Sequence, residues 1–205
     1  MVGRLKDEKL VENCLAAKNP LLGVGVFMFI YLPENWVLRT LNEPPECSSL
    51  GSWNKTGDFR WISNGFIRTL LINMRDKRGY LFRVDVKMFY NAEKATKYIL
   101  EKMEKIKKRQ VKILDEGNMY IGEHSIKFLV WSKKFKPFLS RKEKEELYAE
   151  FPIYCNDTKR LLWVKLKCDK PRNFLLDKKD LLKIISTIIC HESEANRNVT
   201  HENLS

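Results

Sequence analysis

Asp58-Phe59-Arg60-Trp61-Ile62-Ser63-Asn64-Gly65-Phe66-Ile67-Arg68-Thr69-Leu70-Leu71-Ile72, followed after a polar turn by the run from Tyr80 to Tyr90, decides the fold class of this chain. β-branched and aromatic side chains dominate both runs, and Asn64-Gly65 is a residue pair that suits a type I′ turn. The reading is a hairpin, residues 58–62 folded back on 66–72. Asp76-Lys77-Arg78-Gly79 then turns the chain into a third strand. There Leu81, Arg83, Asp85, Lys87 and Phe89 alternate with Phe82, Val84, Val86 and Met88, which gives one apolar and one largely polar face.

Downstream, Asn91 is a good N-cap for a helix over 92–109. Ala92, Ala95, Tyr98, Ile99, Met103 and Ile106 form its apolar stripe, with lysines opposite. A short strand over 111–114 follows. A second hairpin joins 119–121 to 125–131 about Gly122-Glu123-His124. Ser140 and Glu143 have capping-box spacing for a short helix over 141–148. A third hairpin joins 151–155 to 161–167. Leu181, Leu182, Ile184, Ile185, Ile188 and Ile189 predict a buried closing helix that runs to Cys190.

Upstream, Leu5, Val11, Cys14 and Leu15 recur at helical spacing, so a short amphipathic helix is expected over 4–18, ended by Pro20. Residues 24–31 read as a strand, Leu32-Pro33-Glu34-Asn35 turns it into Trp36-Val37-Leu38, and 42–57 read as a loop. Hairpins dominate and no repeated βαβ crossover is present. The predicted fold class is α+β, a mostly antiparallel sheet covered by helices. The expected organisation is an N-terminal helical extension over 1–20, one α+β domain over 21–191, and a disordered tail over 192–205.

With 205 residues, 44% hydrophobic and 31% charged, the chain belongs to the globular class. Its net charge of +12 favours polyanionic partners or a lysine-rich solvated face. The longest apolar run, 21–32, is too short to span a bilayer and reads as a buried strand. No membrane span and a cytoplasmic location are expected. Five cysteines without CxxC spacing argue against a disulfide framework and a zinc finger.

Phe27-Met28-Phe29-Ile30-Tyr31-Leu32-Pro33-Glu34-Asn35-Trp36 resembles the opening of the PsbP-like fold, a strand followed by Pro-x-x-Trp. The later helix, the hairpin around Gly122 and the terminal helix come in a similar order, over residues 24–191. That fold is seen in photosystem II extrinsic proteins, in accessory proteins that bind the GTPase Ran, and in lipoprotein-type relatives. The resemblance implies a PsbP-like α/β sandwich and a small non-catalytic accessory protein with a protein partner, which it does not identify. The basic balance departs from known members, so no Ran-binding residues carry over.

No phosphate-binding loop, dinucleotide fingerprint, nucleophile elbow, zincin helix or EF-hand occurs. No catalytic residue, metal or other cofactor is therefore assigned. His124 falls in a turn, where polar residues serve local needs. Cys155, Cys190 and His191 form the one constellation, if the last helix packs along the strand that ends at Cys155. Three readings stay open: ordinary buried cysteines, a disulfide, or a thiolate–imidazole metal site. Zinc wants four ligands and these are three. The alternative to a protein-binding function is a nucleic-acid interface. It would use Lys102, Lys105, Lys107, Lys108, Arg109 and Lys112, together with Lys133, Lys134 and Lys136.

Overall fold

In a computed structural model, residues 9–40, 49–53, 60–136 and 143–191 are described. The expected tail lies outside them. Their order is β1 (Leu10–Asn19), β2 (Gly23–Pro33), β3 (Trp36–Thr40), β4 (Ser49–Trp53), β5 (Arg60–Asn73), β6 (Arg78–Met88), α1 (Ala92–Lys107), β7 (Lys112–Ile121), β8 (His124–Phe135), β9 (Lys144–Cys155), β10 (Arg160–Cys168) and α2 (Pro171–Ser186). The strands join in the order β1-β2-β5-β6-β10-β9-β8-β7, with β3 and β4 also on β5. Pairing is antiparallel except for one parallel bridge, Val26 to Trp61, between β2 and β5. The sheet is thus mixed, and its two helices pack on parts of it without covering it.

Alternation along the central strands builds two faces. Phe82, Val84, Leu162, Val164, Leu166, Ala149, Phe151 and Ile153 point inward, against residues of β1, β2 and α2 such as Met28, Ile30, Phe174 and Ile184. On the opposite face, Met103 and Ile106 of α1 cover Leu129, Trp131, Leu161 and Trp163. Asn91 caps α1 as expected, its Oδ1 accepting from Lys94 N at 3.1 Å.

Several expectations are corrected. Ser49–Trp53, inside the stretch read as a loop over 42–57, is strand β4, paired with β5. Asn64-Gly65 is not a turn: β5 runs straight through it, pairing with β4 before Gly65 and with β6 from Gly65 onward. Two sheet partners, one on each side of this point, outweigh the local turn preference. The helix expected over 4–18 is, from Leu10 on, strand β1, paired along its length with β2. The helix expected over 141–148 is, from Lys144 on, the start of β9; residues 137–142 lie outside the described residues. The closing helix begins earlier, with Pro171 in its first turn, and stops at Ser186.

That last difference positions the site. Beyond α2 the backbone extends and joins β2: Phe29 N donates to Ile189 O and Ile189 N to Phe29 O, each at 2.9 Å. Thr187 Oγ1 adds bonds to Tyr31 N at 3.0 Å and Tyr31 O at 2.9 Å. Cys190 and His191 are therefore not helical, and the helix dipole does not act on His191.

Candidate metal centre

Three separate stretches of chain meet at one end of the sheet. β8 and β9 pair antiparallel, with Leu129 opposite Glu150. Continued to the strand ends, this register sets His124 beside Cys155, both on the inward face. Gly122, at φ +55°, makes the tight β7–β8 turn that starts β8 there. The segment bonded to β2 then delivers Cys190 and His191.

The four side chains converge. His124 Nε2 lies 3.0 Å from Cys190 Sγ, and His191 Nδ1 lies 3.2 Å from both Cys155 Sγ and Cys190 Sγ. All four ligand atoms fall within 4.8 Å of one another. A tetrahedral zinc with ordinary Zn–S and Zn–N lengths sets its ligand atoms about 3.3–3.8 Å apart. Small outward shifts would admit the ion. Cys155 and Cys190 are buried, His191 nearly so, and both thiols are unbonded.

The surroundings are those of a built site. His191 presents Nδ1 to the sulfurs and Nε2 to two carboxylates, Glu123 Oε1 and Asp157 Oδ2, each at 3.2 Å. Such partners hold a metal-ligating imidazole in one tautomer and orientation. Thr158 N donates to Cys155 Sγ at 3.4 Å. A hydrogen bond from Cys190 holds the Cys155 thiol far below the usual range, against the effect of burial; contacts with the His124, His191 and Thr158 side chains act in the same direction. Cys190 moves the opposite way, because it is the partner that keeps the proton. Contact with Cys155 raises His191.

Arg160 completes the environment. It is fully buried beside the cysteines and donates to Cys190 O at 2.6 Å, and to Phe27 O and Ile62 O at 3.1 Å. Burial pulls its guanidinium down to about 10, and the charges of Cys190 and Cys155 oppose that shift. A cation buried at this point suits thiolate neighbours.

Of the expected site residues, Cys155, Cys190 and His191 do come together. His124, read as a turn residue, joins them as a fourth donor side chain. Most of the basic residues of the nucleic-acid reading lie at the end of α1 and on the adjoining β7–β8 ladder, where Lys112 stands opposite Ser132, next to Lys133. Lys105, Lys108 and Arg109 are exposed on α1 and just beyond it, and Lys112 is exposed on β7. Lys107 pairs with Glu116 at 2.5 Å and Lys134 with Glu143 at 3.5 Å. Lys133 and Lys136 are exposed at the end of β8, whereas Lys102 lies half-buried over the Trp163 ring, 3.8 Å from its centroid.

No protein-family model and no curated protein match the sequence. Among solved structures, the chain is similar to the solution structure of cyanobacterial PsbP (CyanoP) from Synechocystis sp. PCC 6803. The match has a TM-score of 0.41 and 8% identity, and covers 93% of this chain and 98% of that one. It concerns the outline of the fold and says nothing of activity or partner. No helix among the described residues is long and apolar enough to cross a membrane.

Proposed function

We propose that this chain is a non-catalytic binding protein that holds one divalent ion of the zinc class. The ligands are His124 Nε2, Cys155 Sγ, Cys190 Sγ and His191 Nδ1. One observation carries the reading: four donor atoms from three distant stretches of chain lie within 4.8 Å of one another. Two thiolates with two imidazoles select zinc over magnesium or calcium, which prefer oxygen.

A structural role follows from the ligand count. Four protein ligands close a tetrahedral zinc, whereas a catalytic zinc keeps one position for water or substrate. The ion would fasten the segment after α2 to the β7–β8 turn and the end of β9, at the rim of the sheet. The accessory, partner-binding role implied by the resemblance is compatible with this, and the protein partner has no assigned identity.

The test is metal analysis of protein purified from zinc-supplemented medium and dialysed, with X-ray absorption at the zinc edge. One zinc per chain with two sulfur and two nitrogen neighbours is the expected result, lost in Cys155→Ser/Cys190→Ser. A folded protein that retains no zinc, and takes none up when zinc is added, would overturn the proposal.

A further inference from the structure

Beside α1, the same face of the sheet carries like charges in direct register; Arg83 and Lys165 there are 29% and 27% exposed. Arg68 on β5 stands opposite Arg83 on β6, and Arg83 stands opposite Lys165 on β10. Three cations thus sit side by side on adjacent strands, spaced by the roughly 4.8 Å between strands. Like charges directly opposite one another destabilise a sheet. Asp85 offsets part of this, accepting from Arg83 Nε at 2.8 Å and pairing with Lys165 at 3.1 Å. Lys102 adds to the crowding, and burial together with nearby Lys165 lowers its ammonium.

A solvated face made for solubility intersperses both signs. Here one carboxylate, Asp85, stands against three cations, so the row keeps an excess of positive charge that calls for another reason. The neighbouring row supplies one: Phe66, 51% exposed, lies on the same face two residues before Arg68, opposite Asp85 on β6. The guanidinium carbons of Arg83 and Arg68 lie 4.7 and 5.4 Å from its ring centroid. An exposed aromatic ring flanked by guanidinium groups is a stacking platform for a base, and the cation row is a track for phosphates.

We propose that this face binds single-stranded nucleic acid, with phosphates along Arg68, Arg83 and Lys165 and one base stacked on Phe66. Charge complementarity selects a polyanion. The platform selects a single strand, because a duplex keeps the faces of its bases stacked within itself. The surface is separate from the Cys/His cluster and does not depend on it.

The experiment is fluorescence anisotropy with labelled single-stranded RNA and DNA oligonucleotides and the matching duplexes, on the full metal-supplemented chain, between 50 and 300 mM salt. Three phosphate contacts predict a log–log salt slope of about −2 for a single strand. Phe66→Ala should weaken binding about 5- to 150-fold at unchanged slope. Arg68→Ala should make the slope about 0.7 shallower. Both side chains are exposed, so both variants should melt as wild type does. Lys105→Glu/Lys108→Glu, on the outer side of α1, should bind within about twofold of wild type, as sites that share no contact act independently.

No single-strand binding at 50 mM salt would overturn the proposal. So would binding that prefers duplex, or that survives both the Phe66 and Arg68 substitutions. A loss confined to Lys105→Glu/Lys108→Glu would move the interface to α1 and equally overturn it.

Discussion

His191 turns Nε2 away from the two cysteines and toward Asp157, whose Oδ2 lies 3.2 Å off, with Glu123 Oε1 at the same distance on another loop. Both carboxylates are largely exposed, so neither is there to fill a core. If the site holds zinc as proposed, these carboxylates would accept the imidazole proton and leave Nδ1 for the metal. Asp157→Asn combined with Glu123→Gln should therefore weaken zinc about 10- to 100-fold without changing the ligand set. Competition with a chromophoric chelator measures the affinity, and zinc-edge absorption checks that two sulfurs remain. Unchanged affinity would reduce the carboxylates to bystanders.

Removing the ion should lower stability and release the end of the chain first. A ligand that binds only the folded state stabilises it by about 4 kcal/mol when its free concentration is a thousand times Kd. With chelator present, the thermal midpoint should fall and become independent of added zinc until the chelator is exceeded. The backbone bonds between Ile189 and Phe29 lie two residues from His191. Hydrogen exchange at Ile189 N–H should accelerate before that of β9 and β10. Uniform acceleration throughout the sheet would mean that the ion holds the whole fold and not this segment alone.

The fold was legible where pairing is local. β6, the cap of α1, and the β9–β10 hairpin follow from alternation, an Asn N-cap and a four-residue polar turn, all readable within a short window. β1 was not, because Leu10–Asn19 supports either period and only its pairing with β2 selects the strand. Asn64-Gly65 misled for the same reason: a turn preference of local origin yields where β4 and β6 flank one continuous strand.

The candidate site divides in the same way. Cys155 with Cys190-His191 could be suspected from strand and helix ends. His124 could not, because 31 residues separate it from Cys155 and 66 from Cys190. No ligand-spacing motif covers such distances. A signal was present in the strand register: continued past its last bonded pair, Leu129 and Glu150, the β8–β9 register would set His124 opposite Cys155. Recognising it required β8 to begin at His124, one residue earlier than alternation alone suggests.

Arg160 should prove costly to replace even by a side chain of similar volume. Its Nη2 donates to Cys190 O at 2.6 Å, and its Nη1 reaches Phe27 O and Ile62 O. Arg160→Met keeps the volume and removes every donor, leaving at least the Cys190 carbonyl without this buried partner. An orphaned buried acceptor costs about 1–3 kcal/mol. Urea denaturation should show a loss of about 2–4 kcal/mol, with faster exchange at Ile189. A stability change below about 0.5 kcal/mol, the range of ordinary surface substitutions, would show that these bonds are readily replaced.

Asp177, in the N-terminal half of α2, provides an acid-sensitive lock. It is almost fully buried and accepts from Arg78 Nε at 2.8 Å and Tyr80 OH at 2.5 Å. Burial alone would raise this carboxyl. The hydrogen bonds from Arg78 and Tyr80 outweigh it and hold the group below its usual value. Because the folded-state pKa is depressed, the stabilisation is complete above the unfolded-chain value, near 3.9, and is lost as pH falls through the folded-state value. Wild type should therefore lose stability progressively below about pH 4. Asp177→Asn should cost about 2 kcal/mol at pH 7, since it removes the buried charged acceptor shared by Arg78 and Tyr80 and leaves Arg78 with Asp76 alone, and should flatten that acid limb. Urea midpoints at pH 7, 4 and 3 test both parts. An acid limb equally steep in the variant would assign the loss to other carboxylates, and an unchanged midpoint at pH 7 would show that Arg78 and Tyr80 find other partners.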